Sequence, residues 1–521
     1  MIVLYHYYYY WIVFSVMVAS AFQQPSAFTV RNLQTYHSPT TSRRTPPPNF
    51  TTCLDRQRHG PNSLFTTTIT PLYANTALDE HQIDFAMGYL NKHHSSLIIE
   101  FVTAFTDVGV TQAQKNAFSG GSYIIQAAKI TDIHHSTTSS QQYLTLEATI
   151  QIRGAKQNNT VKIVQVDLNS EPLIRGYNTN VPIVPKATKD TNPMDDFVRR
   201  LSRLAIISKQ PQATGKFVQL SFQLGGSKIG LLKEDMFLNQ VPHNKYVRQY
   251  FYDMASDAVF QAVSACSDKK ISNRMKMTAL FPEVNPSMDS YRIGTLLELA
   301  RAIAIRLAEE NLRVRVCVQG SMGVGIFTGI PKQLSGASVL LQRMDWQSGP
   351  GEVNEGMVGN YVNFGGVGKD HVVNQSVDSE GNVVVPQDDV FLILCPQSMV
   401  GQETSIIGPL QEMVQAAGDR PVILINPDLS DKVSAQGQQN IRGRRDRMEF
   451  ADSFQSIFHF QNIYVSGTSY FPILGAIFKA NWKEPWISYQ RRDTVDGGEI
   501  YVPVLQTEEK ADGTLILDTF E

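Results

Sequence analysis

Two runs, Val390–Cys395 (VFLILC) and Pro421–Ile425 (PVILI), carry no polar side chain. A strand with one wet face alternates, so a run apolar throughout is covered on both faces. Helices surround these runs at regular intervals. Met277–Phe281 reads as a strand, Thr295–Glu310 as a helix, Arg313–Val318 as a strand and Lys332–Met344 as a helix. Ser405–Ala417 and Arg445–Ile457 supply further amphipathic helices around the two apolar strands. Such alternation over residues 215–521 predicts an α/β domain whose sheet is mostly parallel and doubly wound, in a Rossmann-like arrangement.

The preceding region has a different pattern. Residues 79–108 begin as a helix with an apolar stripe, and three strand-like runs follow near 121–133, 142–153 and 160–168. Alternation from Leu144 to Ile152 predicts an antiparallel sheet with one wet face. Residues 79–170 are therefore expected to form a small α+β module. Prolines at 172, 182, 185 and 193 among Asn, Thr and Lys mark 171–194 as a linker.

Residues 1–21 are apolar and aromatic, with Ala19 and Ala21 at the small positions of a cleavage site, which predicts a signal peptide. Residues 22–74 are rich in Ser, Thr, Pro and Arg and poor in acids, as transit segments are. The order of signal peptide, Ala-Ser-Ala-Phe and transit-like stretch resembles the bipartite plastid leaders of diatoms and related algae. That likeness implies import into a plastid, with Phe22 as the residue its envelope reads. An uncleaved membrane anchor is the competing reading of the first run.

After residue 74 the chain holds 41 basic and 47 acidic side chains, a net charge near −6. This argues against general nucleic-acid binding, which needs a basic footprint. The four cysteines, Cys53, Cys266, Cys317 and Cys395, show no C-x-x-C spacing, and those in apolar runs read as core thiols. His93-His94 and His134-His135 are adjacent pairs whose side chains diverge, so no metal site is expected.

Two glycine clusters invite a phosphate-binding reading. Gly320, Gly323 and Gly325 follow a strand, but in the order G-x-x-G-x-G rather than the dinucleotide order G-x-G-x-x-G. Gly365 to Asp370 matches a P-loop only at Gly368-Lys369, and Asp370 replaces the hydroxyl that would meet magnesium. No cofactor is expected from either. The carboxyl ends of parallel strands are where open α/β sheets bind ligands, which singles out Glu283, Gln319, Gln397, Asn426 and Asp428 along with the three glycines. A basic run, Arg442, Arg444, Arg445 and Arg447, precedes a helix and suits contact with an anionic surface or an acidic partner.

Several of these segments occur in a shared order with a known family. LFPEVN (280–285), the helix TLLELAR (295–301), Gln319–Gly325, Met344-Asp345-Trp346, Cys395-Pro396-Gln397 and Ile425-Asn426-Pro427-Asp428 with its following arginines resemble a plastid and cyanobacterial family. This domain-of-unknown-function family includes the low photosystem II accumulation assembly factor and the C-terminal part of a plastid adenylate kinase. The likeness covers roughly 215–521 and implies a non-enzymatic assembly or stability role for a photosynthetic membrane complex, in the stroma or on the stromal face of the thylakoid. Kinase activity is not implied, because it belongs to a separate domain with a P-loop. Two alternatives stay open: a small-molecule or nucleotide-binding enzyme using the strand-end cleft, and a pigment- or lipid-binding role for 79–170.

Overall fold

Nine strands of the described residues share one sheet, in the order Glu499–Thr507, Trp486–Asp493, Ser469–Lys479, Gln455–Ser466, Arg274–Leu280, Val422–Ile425, Val390–Leu394, Val314–Val318 and Val362–Gly365, while β7 (Ser376–Val377) and β8 (Val383–Val385) pair apart from it. The computed structural model describes residues 76–520 apart from 120–122, 140, 153–158, 189, 228–231, 234–235, 286–287, 320–335, 347–356, 398–405, 430–443 and 467–468. Residues 70–521 form one compact unit. The leader positions Ala19, Ala21 and Phe22 lie outside the described residues.

The parallel half holds β4 (Arg274–Leu280), β5 (Val314–Val318), β6 (Val362–Gly365), β9 (Val390–Leu394), β10 (Val422–Ile425) and β11 (Gln455–Ser466). β9 and β10 are buried on both sides, as their composition requires, whereas β4 buries alternate residues and β6 only Val362. Met275, Met277, Val316, Leu392 and Ile423 share one core with α6 (Lys245–Ser267) and α7 (Ile293–Ala308). On the opposite face Cys317, Phe391, Ile393 and Leu424 pack with α9 (Ile407–Ala417) and with Phe450 of α10 (Arg444–Asp452). Each such side chain contributes roughly 1.5–3 kcal/mol by leaving water. The chain is thus of the α/β class.

The other half of the sheet was not expected. β12 (Ser469–Lys479), β13 (Trp486–Asp493) and β14 (Glu499–Thr507) continue from β11 as an antiparallel meander. The helix expected at Arg445–Ile457 ends at Asp452, and residues 455–457 open β11 instead. Phe450, Phe454 and Ile457 are spaced four and three apart and mimic a helical stripe. In β11 itself, buried Ile457, Phe458 and Phe460 all join the core shared with α6 and α7, next to a bulge between Ser456 and Phe458.

Toward the N-terminus, α1 (Glu80–His93), α2 (Ser95–Phe105) and α3 (Asp107–Ser119) pack on the three-stranded antiparallel sheet β1 (Tyr123–His134), β2 (Tyr143–Ile152) and β3 (Thr160–Asp167). Leu144, Leu146, Ala148 and Ile150 point inward, while the alternate positions of β2 are half-buried. This core extends well past residue 170. It includes Phe197 and Leu201 of α4 (Pro193–Ile207) and Phe217 of α5 (Ala213–Gln223). α4 starts at Asn192, whose side chain accepts from Met194 N, with Pro193 in the first turn.

α5 also touches the large sheet. A Cβ on Gly215 would lie 2.3 Å from Pro503 O and 2.4 Å from Val504 Cα of β14, so only glycine allows this approach. Gly215 therefore sits inside a helix that packs between the two parts, and it does not begin the α/β region. The stretch 171–194 is also tied to α4. Arg203, fully buried, donates to Pro182 O (3.1 Å), Ser170 O (2.9 Å) and the Glu171 carboxylate.

Candidate functional site

At the carboxyl ends of the parallel strands, the side chains singled out from the sequence bond to neighbouring protein atoms. Asn426 ends β10 with φ +48°, a left-handed conformation that asparagine tolerates. Its Oδ1 accepts from Ala279 N at 2.6 Å and its Nδ2 donates to Ala279 O at 3.0 Å. The carboxamide thereby continues the pairing of β10 with β4 where the backbone turns away. Gln319, fully buried after β5, repeats the device: its Oε1 accepts from Gln397 N at 3.0 Å and its Nε2 donates to Gln397 O at 3.3 Å. Gln397 in turn bridges Asp428 in parallel register, and Asp428 N donates to Pro396 O at 2.9 Å.

Glu283 forms a buried ion pair. It lies in a short 3-10 turn (Pro282–Val284) after β4, and its Oε2 is 2.8 Å from His243 Nδ1. His243 Nε2 is 3.0 Å from Leu238 O, and its backbone N–H donates to Glu283 Oε1. Both ring nitrogens thus face oxygen atoms of the protein. Burial by itself would raise the Glu283 carboxyl, but the bonds from His243 hold it below its ordinary value. Glu283 thus pins the loop ahead of α6 to the sheet.

Gly320, Gly323, Gly325 and Arg442 lie outside the described residues. Arg444 and Arg445 open α10 in exposed positions, and Arg445 Nε is 2.6 Å from Glu449 one turn on. Arg447 is half-buried on the same helix. The arginines therefore stand on the helix that covers β9 and β10, apart from the amide clamps. Residues 320–335, 398–405 and 430–443, next in the chain after the carboxyl ends of β5, β9 and β10, lie outside the described residues.

A second concentration of charge, missed in the sequence, lies beneath α4. Arg199 donates through Nε to Glu508 Oε1 at 2.9 Å and through Nη2 to Oε2, and through Nη1 to Lys483 O at 3.3 Å. Glu508 follows β14, so this fork joins α4 to the meander. Beside it Asp195 accepts from Ser221 Oγ (2.6 Å) and Ser227 N (2.9 Å), and burial pushes its carboxyl upward. Burial, reinforced by the neighbouring Asp195 charge, pushes Glu484 up to about 7. Burial brings Lys479 down to about 8. Asp195, Arg199 and Glu484 line a pocket of about 20 Å³, room for roughly one water molecule. The signal was present in the sequence: Asp195, Arg199 and Arg203 recur every four residues on a helix that also carries Asp196 and Arg200 at the same spacing.

These groups have a measurable signature. The folded Glu484 releases its proton near 7 and the unfolded one near 4.5, so the folded state carries the extra proton between those values. Its contribution makes stability fall as pH rises from about 4.5 to about 7, then level off. Urea midpoints at pH 5 and pH 8 should differ less in Glu484→Gln than in the unaltered chain. An identical difference in both would place the titration elsewhere.

The remaining titratable groups are structural. His135 Nε2 lies 3.0 Å from Asp196 Oδ2, and Arg200 donates to both oxygens of that carboxylate. Burial pushes His94 down to about 4, where its ring meets Phe217 edge-on. Cys266, Cys317 and Cys395 are buried free thiols, while Cys53 lies outside the described residues. Among the described residues no group of three His, Cys, Asp or Glu side chains is arranged to hold a metal ion. Lys369, Asp370 and His371 form a single 3-10 turn.

One family model matches residues 247–516, more than half of the chain, and its description is Domain of unknown function (DUF1995). The match takes in all nine strands of the large sheet together with α6, α7, α9 and α10, and leaves out α1–α5 and the β1–β3 sheet. The chain belongs to the DUF1995 family.

Proposed function

We propose that this chain is a plastid-imported auxiliary protein that acts by binding, as an assembly or stability factor for a photosynthetic membrane complex. The observation that carries the reading is the state of the strand-end polar groups. Glu283, Gln319 and Asn426 hold backbone atoms of the protein itself, as clamps in a rigid scaffold do. Helices over both faces of the parallel strands support the finer reading of that half as doubly wound and Rossmann-like. The leader composition supports import, and no helix of the described residues is long and apolar enough to cross a membrane.

The contact surface in this reading is the start of α10. An anionic lipid surface attracts each nearby arginine by roughly 1 kcal/mol, enough for reversible contact and too little for stable anchoring. Replacing Arg442, Arg444, Arg445 and Arg447 with glutamine should move the protein from the salt-washable thylakoid fraction to the soluble fraction without unfolding it, since Arg444 and Arg445 are exposed charges that contribute little to stability and glutamine keeps part of the stem of the half-buried Arg447. A knockout should accumulate less photosystem II, restored by the unaltered chain and less so by the four-fold variant. Normal photosystem levels in the knockout would overturn the assembly role.

A second reading, a small-molecule enzyme at the strand ends, is favoured by one observation. Ser290 Oγ and Tyr291 OH, in the loop leaving β4, are buried and have no hydrogen-bond partner in the protein.

A further inference from the structure

A cleft of about 190 Å³ separates the segment before α4, and α4 itself, from the chain that leaves β14. One wall is aliphatic, with Val181, Pro182 and Ile206, and Leu515 of α11 (Gly513–Asp518) faces it. Gln506 lines both this cleft and the small pocket beside Arg199. It is 5% exposed, and its backbone N–H donates to Thr214 Oγ1 at 3.0 Å, yet its Nε2 has no partner in the protein. Buried donors without a partner are rare in native structures and call for a specific explanation.

The charges around the cleft narrow the chemistry. Arg199 is forked onto Glu508, and Arg203 is held by Pro182 O, Ser170 O and Glu171, so neither guanidinium is an unopposed cation. That disfavours a multivalent anion. Lys510 gives one ammonium hydrogen to Gln461 Oε1 at 2.9 Å and has two more. Of the lining carboxylates, Glu508 is held by Arg199 and Asp512 caps α11 by accepting from Leu515 N at 2.8 Å, which leaves the exposed Glu509. The cleft therefore combines an amide donor, one ammonium group and aliphatic walls.

We propose that this cleft binds a small organic carboxylate with an apolar body. The carboxylate meets Gln506 Nε2 and Lys510, and the hydrocarbon lies against Pro182, Ile206 and Leu515. A cavity of about 150 Å³ takes up benzene, so this one suits acids of roughly ten non-hydrogen atoms. None of these residues belongs to the strand-end clamps or to α10, so the site stands whether or not the chain is an assembly factor.

The test is thermal unfolding of the full chain with acetate, hexanoate, phenylacetate, hexylamine and inorganic phosphate as probes. Hexanoate or phenylacetate should raise Tm saturably, by roughly 2 °C or more, with acetate, hexylamine and phosphate well below them. Gln506→Glu turns the donor into an acceptor at nearly constant size and should abolish the shift. Leu515→Trp, at a half-buried position, should abolish it by filling the cleft, and it keeps the test open if the first variant does not fold. The proposal is overturned if neither acid shifts Tm, if phosphate or hexylamine shifts it as much, or if the shift survives in a folded variant.

Discussion

Arg199→Ala should lower the free energy of unfolding by about 3–5 kcal/mol, because it leaves the Glu508 carboxylate buried with its forked partner gone. The two side chains are 14% and 12% exposed, so water replaces little of what is lost. The same substitution frees Lys483 O and removes the cation nearest Asp195 and Glu484. Urea unfolding followed by tryptophan fluorescence would measure the loss. An apolar pair, Arg199→Met with Glu508→Leu, should recover much of it, since replacing both partners leaves no lone charge. A loss below about 1 kcal/mol in the single variant would mean that the fork is solvated.

Glu283→Ala should have an effect of similar size, again about 3–5 kcal/mol, because the buried His243 ring nitrogen and backbone N–H both lose their partner. The pH dependence distinguishes this pair from the one under α4. Folding holds the Glu283 carboxyl below 4.5, its ordinary value, so its stabilisation is complete above that pH and is lost as pH falls through the lower folded value. The gap between Glu283→Ala and the unaltered chain should therefore shrink as pH falls below about 4.5. A gap that persisted unchanged into strong acid would show that cavity formation, and not the ion pair, sets the cost.

The parallel strands were legible because burial on both faces leaves a composition no other element shares. Phe391, Leu392, Ile393 and Leu394 each have a covering partner, and the sequence has no polar residue among them. The meander was not legible for the opposite reason. β12 contains Pro472 and Gly475, and its neighbours mix buried Ser488 and Gln506 with aliphatics, so neither period stands out. The 171–194 stretch looked like a linker because its own composition is polar. What orders it is Arg200 and Arg203, which lie on another element.

The strand-end residues show the same limit from the chemical side. Position and residue type directed attention to Gln319, Gln397, Asn426 and Glu283, and the structure does place them along one edge. Their partners are backbone atoms of other strands, Ala279 for Asn426 and Gln397 for Gln319, and His243 some forty residues before Glu283. Such pairings depend on tertiary register, which local sequence does not encode. Gln506 carries no motif at all. Its interest comes only from being buried beside a cavity with one nitrogen unpaired.

The contact of α5 with β14 also constrains the order in which the molecule can be completed. Thr214 Oγ1 receives its bond from Gln506 N, 292 residues later, and Gly215 lies against Pro503 of the same strand. A chain emerging from the ribosome N-terminus first therefore exposes one side of α4 and α5 until β14, 292 residues after Thr214, is made. Closing so long a loop is entropically slow, and apolar surface left open meanwhile is prone to aggregation. Loss of β14 would leave α4 and α5 unsealed, so damage to a late strand is felt in helices made long before it.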